Sequence, residues 1–107
     1  MEARVKSGLW VGAYVRRCHA AGAPAFVTRK GDPDAGAILV AIDRLDGTQR
    51  LYGRARDGHG ALVFAPLTDW VDAPALQTAI GKQTKYDPDL WIVTVESKSG
   101  EAFLEEY

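Results

Sequence analysis

The sequence predicts an α+β fold in which two helices cover one sheet. Two apolar runs, Ala37–Ile42 and Leu90–Val95, have the length of strands and are typical of strands buried on both faces. Residues 8–21 and 72–86 carry apolar side chains at helical spacing. Short turns separate the apolar segments of residues 25–65. We therefore expect an antiparallel meander of about four strands, with a fifth strand after a helical crossover.

Composition indicates a soluble globular protein. The 107 residues suit one domain, which we place over residues 1–107. Hydrophobic residues make up 47% and charged residues 25% of the chain, a balance that excludes disordered and collagen-like classes. No apolar run approaches the ~20 residues that cross a bilayer, so we expect no membrane association. One cysteine and an N-terminus without an apolar segment predict a cytoplasmic protein.

The first helix is predicted to begin at Ser7, whose hydroxyl suits a helix cap. Val11, Tyr14, Val15 and Cys18 follow at the spacing of one helix face. A glycine and a proline shortly after residue 21 end the helix. This face is expected to pack against the sheet.

Residues 29–36 form a charged, turn-forming segment ahead of the first apolar run. Gly31 permits positive φ, Pro33 fixes φ near the turn value, and the flanking aspartates can bond their own backbone. We therefore predict a hairpin that pairs residues 25–29 with residues 37–42. The second strand of this hairpin is expected to be central, because an exposed apolar edge would favour aggregation.

A second turn is predicted at Asp46-Gly47, a pair typical of the type I′ turn with positive φ at both central residues. A third strand follows over residues 48–54. A fourth strand over residues 61–65 ends at Pro66, which cannot continue a strand ladder.

The second helix is predicted to begin after Asp72, whose carboxylate can cap it, with Pro74 in its first turn. Leu76 belongs to its apolar stripe. Residues 86–89, Tyr-Asp-Pro-Asp, end the helix and lead into the last strand. Residues 97–107 are expected to form a short tail or edge element that ends in acids.

Several short motifs are spread over nearly the whole chain: Lys6–Val11, Arg16-Arg17, Arg29–Gly36, Arg44–Gly47 with Leu51–Gly53, and Tyr86–Trp91. Together they resemble a family of short bacterial proteins, chiefly alphaproteobacterial, that is classed as a domain of unknown function, number fourteen ninety-one. The resemblance implies a stand-alone cytoplasmic domain with no assigned activity. It transfers no catalytic residues, because none is established for the family.

Charge is distributed unevenly along the chain, although the net charge is −1. Residues 1–56 contain ten basic and five acidic residues, whereas residues 57–107 contain three basic and nine acidic residues. Packing of the two halves against each other accounts for this pattern. The alternatives are a basic face that binds an anion or nucleic acid, and head-to-tail self-association.

Motifs for metal and cofactor chemistry are weak. Asp89 and Glu96–Lys98 resemble the signature of metal-dependent nucleases, but one strand between the acids would hold them about 23 Å apart. Cys18 and His19 point about 100° apart on a helix and cannot easily bind one metal together. No phosphate-binding glycine loop is present. We expect no bound metal and no cofactor.

Five charged residues form the candidate ligand-binding set: Arg17, Arg29, Asp32, Asp34 and Asp89. Our leading hypothesis is a non-enzymatic module that binds a protein or a small polar ligand, with homodimerisation as one form of association. One alternative is an enzyme, or an anion- or metal-binding site, at the Arg29–Gly36 turn, where alternate carboxylates could bind a hard cation. The other is nucleic-acid binding through the basic half, which the net charge disfavours.

Overall fold

The computed structural model describes residues 5–104, which form two helices and five strands. In chain order these are α1 (Ser7–Ala20), β1 (Ala25–Arg29), β2 (Ile38–Asp43), β3 (Gln49–Arg56), β4 (Leu62–Pro66), α2 (Ala73–Tyr86) and β5 (Trp91–Glu96). The predicted α+β class is confirmed. Neither helix is long and apolar enough to cross a membrane.

The five strands form one sheet in the order β1-β5-β2-β3-β4. As predicted, β2, β3 and β4 form an antiparallel meander and β5 follows a helical crossover, parallel to β2. The predicted hairpin between residues 25–29 and 37–42 is wrong, because β5 lies between β1 and β2. Pairing the two most buried strands, β2 and β5, with each other covers both on both faces and leaves the less buried β1 and β4 at the edges.

The segment over residues 30–37 crosses the start of β5 instead of forming a hairpin turn. The Asp32 amide donates to the Asp89 carbonyl at 2.9 Å, and the Trp91 amide donates to the Ala37 carbonyl at 2.7 Å. The Trp91 ring Nε1 also donates to the Asp32 carbonyl at 2.7 Å. The turn-forming residues therefore anchor this loop to the entry of the neighbouring strand.

Helix α1 packs against one face of the sheet and buries Ser7, Trp10, Val11, Tyr14 and Cys18. These side chains contact alternate residues of the central strands, including Val40 and Val93. Ser7 is the first helical residue and not the cap. Its hydroxyl donates to the Gly36 carbonyl at 2.6 Å, so it ties the helix to the crossing loop.

Helix α2 packs on the opposite face and is much less buried. Of its 14 residues, only Leu76 is buried. Asp72 caps the helix as predicted, since its carboxylate accepts a hydrogen bond from the Ala75 amide at 3.0 Å. The sheet therefore has helices on both faces, and the cover on the α2 face is the thinner one.

The turn after β2 differs from the predicted type I′ turn. Positive φ occurs at Leu45 (62°) and Gly47 (91°), and not at Asp46. The Arg44 amide donates to the Thr48 carbonyl at 3.1 Å, which closes a longer loop.

The tail after β5 packs against α1 as far as it is described. The Tyr14 hydroxyl donates to the Ala102 carbonyl at 2.5 Å, and Phe103 and Leu104 contact the core on the α1 side. The predictions that concern the first four residues and the acidic residues 105–107 lie outside the described part of the chain.

Candidate functional site

An open groove of about 570 Å³ lies between α2 and the sheet, and we call it the α2 groove. It exists because α2 makes its main contacts with β3, toward one side of the sheet. Its lining includes Leu76 and Ile80 from α2 and Ile92 from β5, which are apolar. Thr28 and Arg29 from β1 also line it, so the groove has both apolar and polar walls.

Arg29 is the only ionisable residue among the described residues that line the α2 groove. The register of β1 shifts between Val27 and Arg29 at its pairing with β5. The Arg29 Nη2 donates to the Pro88 carbonyl at 2.8 Å. Its Nε is buried and has no hydrogen-bond partner within residues 5–104. A buried donor without an acceptor costs about 1–3 kcal/mol, and more when the group is charged.

Two threonine hydroxyls lie next to each other in the same groove. The Thr28 hydroxyl donates to the Ile92 carbonyl at 3.2 Å, and its oxygen is 3.1 Å from the Thr94 Oγ1. Both threonines line the groove on the side formed by β1 and β5. The groove thus combines one guanidinium and two hydroxyls with an apolar surface.

The predicted aspartates mainly organise the crossing loop. The Asp32 Oδ2 accepts hydrogen bonds from the Asp34 amide at 3.2 Å and the Ala35 amide at 2.8 Å. The Asp34 carboxylate is 3.7 Å from the Lys6 Nζ, and both side chains are exposed. Asp89 contributes its carbonyl oxygen to the contact with the Asp32 amide. These contacts of the three aspartates stabilise the backbone of the crossing loop. Of the five residues in the predicted ligand-binding set, Arg29 is the one that lines the α2 groove.

The structure does not bring Arg17 to this region. Its Nη1 donates to the Phe103 carbonyl at 3.0 Å, in the tail that packs against α1. Arg17 is ten residues beyond Ser7, which corresponds to about 15 Å along the helix axis. Since Ser7 is the helix end next to the crossing loop, Arg17 lies on a different part of the molecule from Arg29.

The comparison with protein families gives a match over residues 5–105 to the family described as "Protein of unknown function (DUF1491)". The chain belongs to the DUF1491 family. The resemblance seen in the sequence is therefore confirmed. No curated protein matches the chain significantly.

Solved structures of DUF1491 proteins share this fold. A crystal structure of a family member from Caulobacter crescentus is 38% identical, with a TM-score of 0.86 over 96% of this chain and 97% of that chain. An NMR structure of a Caulobacter crescentus member is also 38% identical, with a TM-score of 0.83 over 98% and 96% of the two chains. A solution structure of a protein from A. tumefaciens is 31% identical, with a TM-score of 0.82 over 95% and 93%.

Sequence reasoning missed the threonine pair of the α2 groove. Thr94 is the polar residue inside the apolar run of β5, and this interruption was the available signal. A polar side chain in a strand buried on both faces needs a partner or a solvated cavity. The partner, Thr28, could not be identified without the pairing of β1 with β5.

Metal and thiol chemistry receive no support from the described part of this DUF1491 chain. Within residues 5–104, no three His, Cys, Asp or Glu side chains are placed to hold a metal ion. Cys18 is fully buried in the core, as predicted. Burial raises the pKa of its thiol, although the Tyr14 hydroxyl and the Arg17 charge act in the opposite direction. A buried neutral thiol is a poor nucleophile.

Proposed function

We propose that this DUF1491 protein is a cytoplasmic, non-enzymatic domain over residues 1–107 that binds a small anion with an apolar body in the α2 groove. The observation that carries the proposal is that Arg29 is the only ionisable residue of the described groove lining and lies beside an apolar surface. A carboxylate or phosphate of the ligand would pair with the Arg29 guanidinium at the polar wall of the groove. Its apolar part would contact Ile80 and Ile92.

General features of ligand sites support this assignment. Small-molecule pockets commonly measure about 300–1,000 Å³ and combine apolar walls with a few polar groups. Arginine is the preferred partner of planar anions, because its guanidinium presents several donors in a fixed geometry. The α2 groove has these properties, with Arg29 as its cation.

The polar groups of the groove favour binding over catalysis. The described lining offers threonine hydroxyls, glutamine amides and the Arg29 guanidinium. The described lining contains no His, Asp, Glu, Lys, Cys or Tyr side chain, the residue types that usually act as general acids or bases. Of the other predicted residues, Asp32 and Asp89 would position the loop that contacts Arg29, and Asp34 and Arg17 would have no direct role.

A pair of apolar anionic and neutral dyes tests this proposal. Anilinonaphthalene sulfonate carries a negative charge, whereas N-phenylnaphthylamine has a similar apolar body without one. We expect Arg29→Met to lower the affinity for the anionic dye about tenfold or more, because a hydrogen bond to a charged group contributes about 1.5–3 kcal/mol. Binding of the neutral dye should change little. Equal weakening of both dyes would indicate a damaged groove and refute the ionic role.

A second variant leaves Arg29 and its contact with Pro88 intact. Ile80→Glu places a negative charge at the groove and should repel the anionic dye. The matched control is Leu9→Glu, because Leu9 is 67% exposed on α1, on the other side of the sheet. If both glutamate variants bind the anionic dye as the wild type does, the α2 groove is not its site. Native mass spectrometry of untagged protein from its own host would then show whether any small ligand is retained.

We also propose that the protein forms a homodimer in which β1 of one copy pairs with β1 of the other. β1 is an edge strand, and its side chains Phe26 and Val27 are 50% and 45% exposed. An edge strand presents unpaired backbone groups that can pair with the same strand of another copy. Light scattering should then give twice the 11.6 kDa chain mass, and Phe26→Lys should return it to one chain. A single-chain mass for the wild type at about 100 μM would refute dimerisation.

A further inference from the structure

Strand β3 carries a row of basic and aromatic side chains on the face opposite the α2 groove. Its alternate residues Arg50, Tyr52, Arg54 and Arg56 share this face, because side chains alternate along a strand. Tyr52 packs against the core on the α1 side, which fixes the direction of the row. With Arg44 and Trp70 we call this the arginine face.

The arginines of this face stack on aromatic rings. The Arg44 guanidinium carbon is 3.8 Å from the centre of the Trp70 ring. The Arg50 guanidinium carbon is 5.4 Å from the same ring and 6.0 Å from Tyr52. The Arg54 guanidinium carbon is 5.4 Å from the centre of the Phe64 ring. Stacking restricts the long arginine side chains, so less conformational entropy is lost when they bind an anion.

The charge of the arginine face is only partly compensated. Arg44 and Arg50 have carboxylates at 3.7 Å and 3.6 Å, from Asp46 and the highly exposed Asp69. Because the two carboxylates are exposed, these pairs contribute little to stability and the carboxylates can exchange with an external anion. Within residues 5–104, no carboxylate lies within 4.0 Å of the exposed side chains of Arg54 and Arg56.

We propose that the arginine face binds single-stranded nucleic acid, in addition to the small ligand proposed for the α2 groove. Alternate residues of a strand are about 6.8 Å apart, so Arg54 and Arg56 are separated by about one phosphate spacing and Arg50 by about two from Arg54, with Tyr52 between them. Half-buried Tyr52 and Trp70, together with the guanidinium planes, offer surfaces on which bases stack. An acidic peptide would use the charges but not these planar surfaces, so nucleic acid is the better fit.

The net charge of −1 is compatible with this proposal, because binding depends on the local field. The arginine face carries four positive charges: Arg54 and Arg56 have no carboxylate partner among the described residues, and Arg44 and Arg50 each pair with an exposed carboxylate. We therefore expect weak, salt-dependent binding that reflects about three phosphate contacts.

Fluorescence anisotropy of a labelled oligouridine of about 12 nucleotides tests the proposal. Each phosphate contact to a single strand contributes a slope of about −0.7 in log affinity against log salt. Three contacts predict a slope of about −2, or an affinity loss of about twentyfold between roughly 50 and 200 mM salt. The double variant Arg54→Gln and Arg56→Gln should retain about one contact and a slope near −0.7.

The matched control is the double variant Lys82→Gln and Lys85→Gln, which removes the same charge from α2 on the other side of the sheet. It should bind the oligonucleotide with the wild-type slope. Absence of wild-type binding at low salt would overturn the proposal, as would equal effects of the two double variants. If an equally charged oligoglutamate competes as strongly as unlabelled oligouridine does, the arginine face binds acidic peptides instead. Unchanged dye binding in the α2 groove and unchanged melting temperatures separate this test from that of the proposed function.

Discussion

Replacing Gly31 with alanine tests how the crossing loop is held over β5. A Cβ at Gly31 would lie 2.3 Å from the Asp89 carbonyl oxygen and 2.6 Å from the Leu90 carbonyl carbon. Both are backbone atoms at the entry of a central strand, so neither can move without displacing β5. The φ angle of Gly31 is not in the left-handed region, so the expected penalty is steric.

The size of the effect follows from the contacts that the new methyl group would disturb. Overpacking typically costs about 1–3 kcal/mol. If the loop lifts to relieve the clash, the hydrogen bonds from the Asp32 amide to Asp89 and from the Trp91 ring to Asp32 weaken. Each contributes about 1 kcal/mol. We therefore expect a loss of about 2–5 kcal/mol from a total near 5–15 kcal/mol, and a fall in Tm of about 10 °C or more.

Urea unfolding measures this loss, and Gly58→Ala is the control. A Cβ at Gly58 meets no atom within 4 Å, and its φ is also outside the left-handed region. That substitution should leave the free energy of unfolding unchanged or raise it by about 0.4–1 kcal/mol through the unfolded state. Gly36→Ala should behave like Gly31→Ala, because its Cβ would lie 2.4 Å from the same Asp89 oxygen. If Gly31→Ala matches the control, the loop is not seated on β5 as described.

Three further predictions concern the core and the turns. Leu76→Ala should lower the free energy of unfolding by about 2–5 kcal/mol, measured by urea unfolding, because Leu76 is the buried residue of α2. Burial raises the pKa of the Cys18 thiol above 9.0. The protonated thiol therefore contributes its full stabilisation below pH 9.0, and this stabilisation is lost as the pH rises through the raised pKa. In Cys18→Ala, measured by unfolding at several pH values, this alkaline loss of stability should be absent. Hydrogen bonds from Thr48 hold the pKa of the Asp46 carboxyl below its ordinary value, so Thr48→Val should raise that pKa in an NMR titration. An unchanged pKa would contradict the assigned role of the hydroxyl.

The central strands could be predicted from the sequence, but their neighbours could not. Ile38–Asp43 and Trp91–Glu96 are marked by apolar runs, because burial on both faces removes the usual polar alternation. The turn residues at 31–36 are equally compatible with a hairpin and with a loop that crosses a strand. Local conformational preferences cannot distinguish these cases. The strand order depends on the pairing of two apolar runs separated by about half the chain.

The candidate site was only partly predictable for a related reason. Arg29 was identified from its place beside the turn, and the structure puts it in the α2 groove. The groove itself depends on how much of the sheet α2 covers, which no local pattern encodes. The arginine face had a sequence signal in the alternation of Arg50, Tyr52 and Arg54, but its meaning required the direction of each side chain.

The unequal burial of the two helices suggests why a ligand would bind on the α2 side. Helix α1 is held by five buried residues and by the Ser7 and Tyr14 hydrogen bonds to distant segments. Helix α2 depends on Leu76, so its local opening requires less free energy than global unfolding. A ligand between Ile80 and the sheet would add apolar contacts where this helix has few. Binding in the α2 groove would therefore stabilise α2 selectively, and the rigid α1 face would remain unchanged as the scaffold for the arginine face.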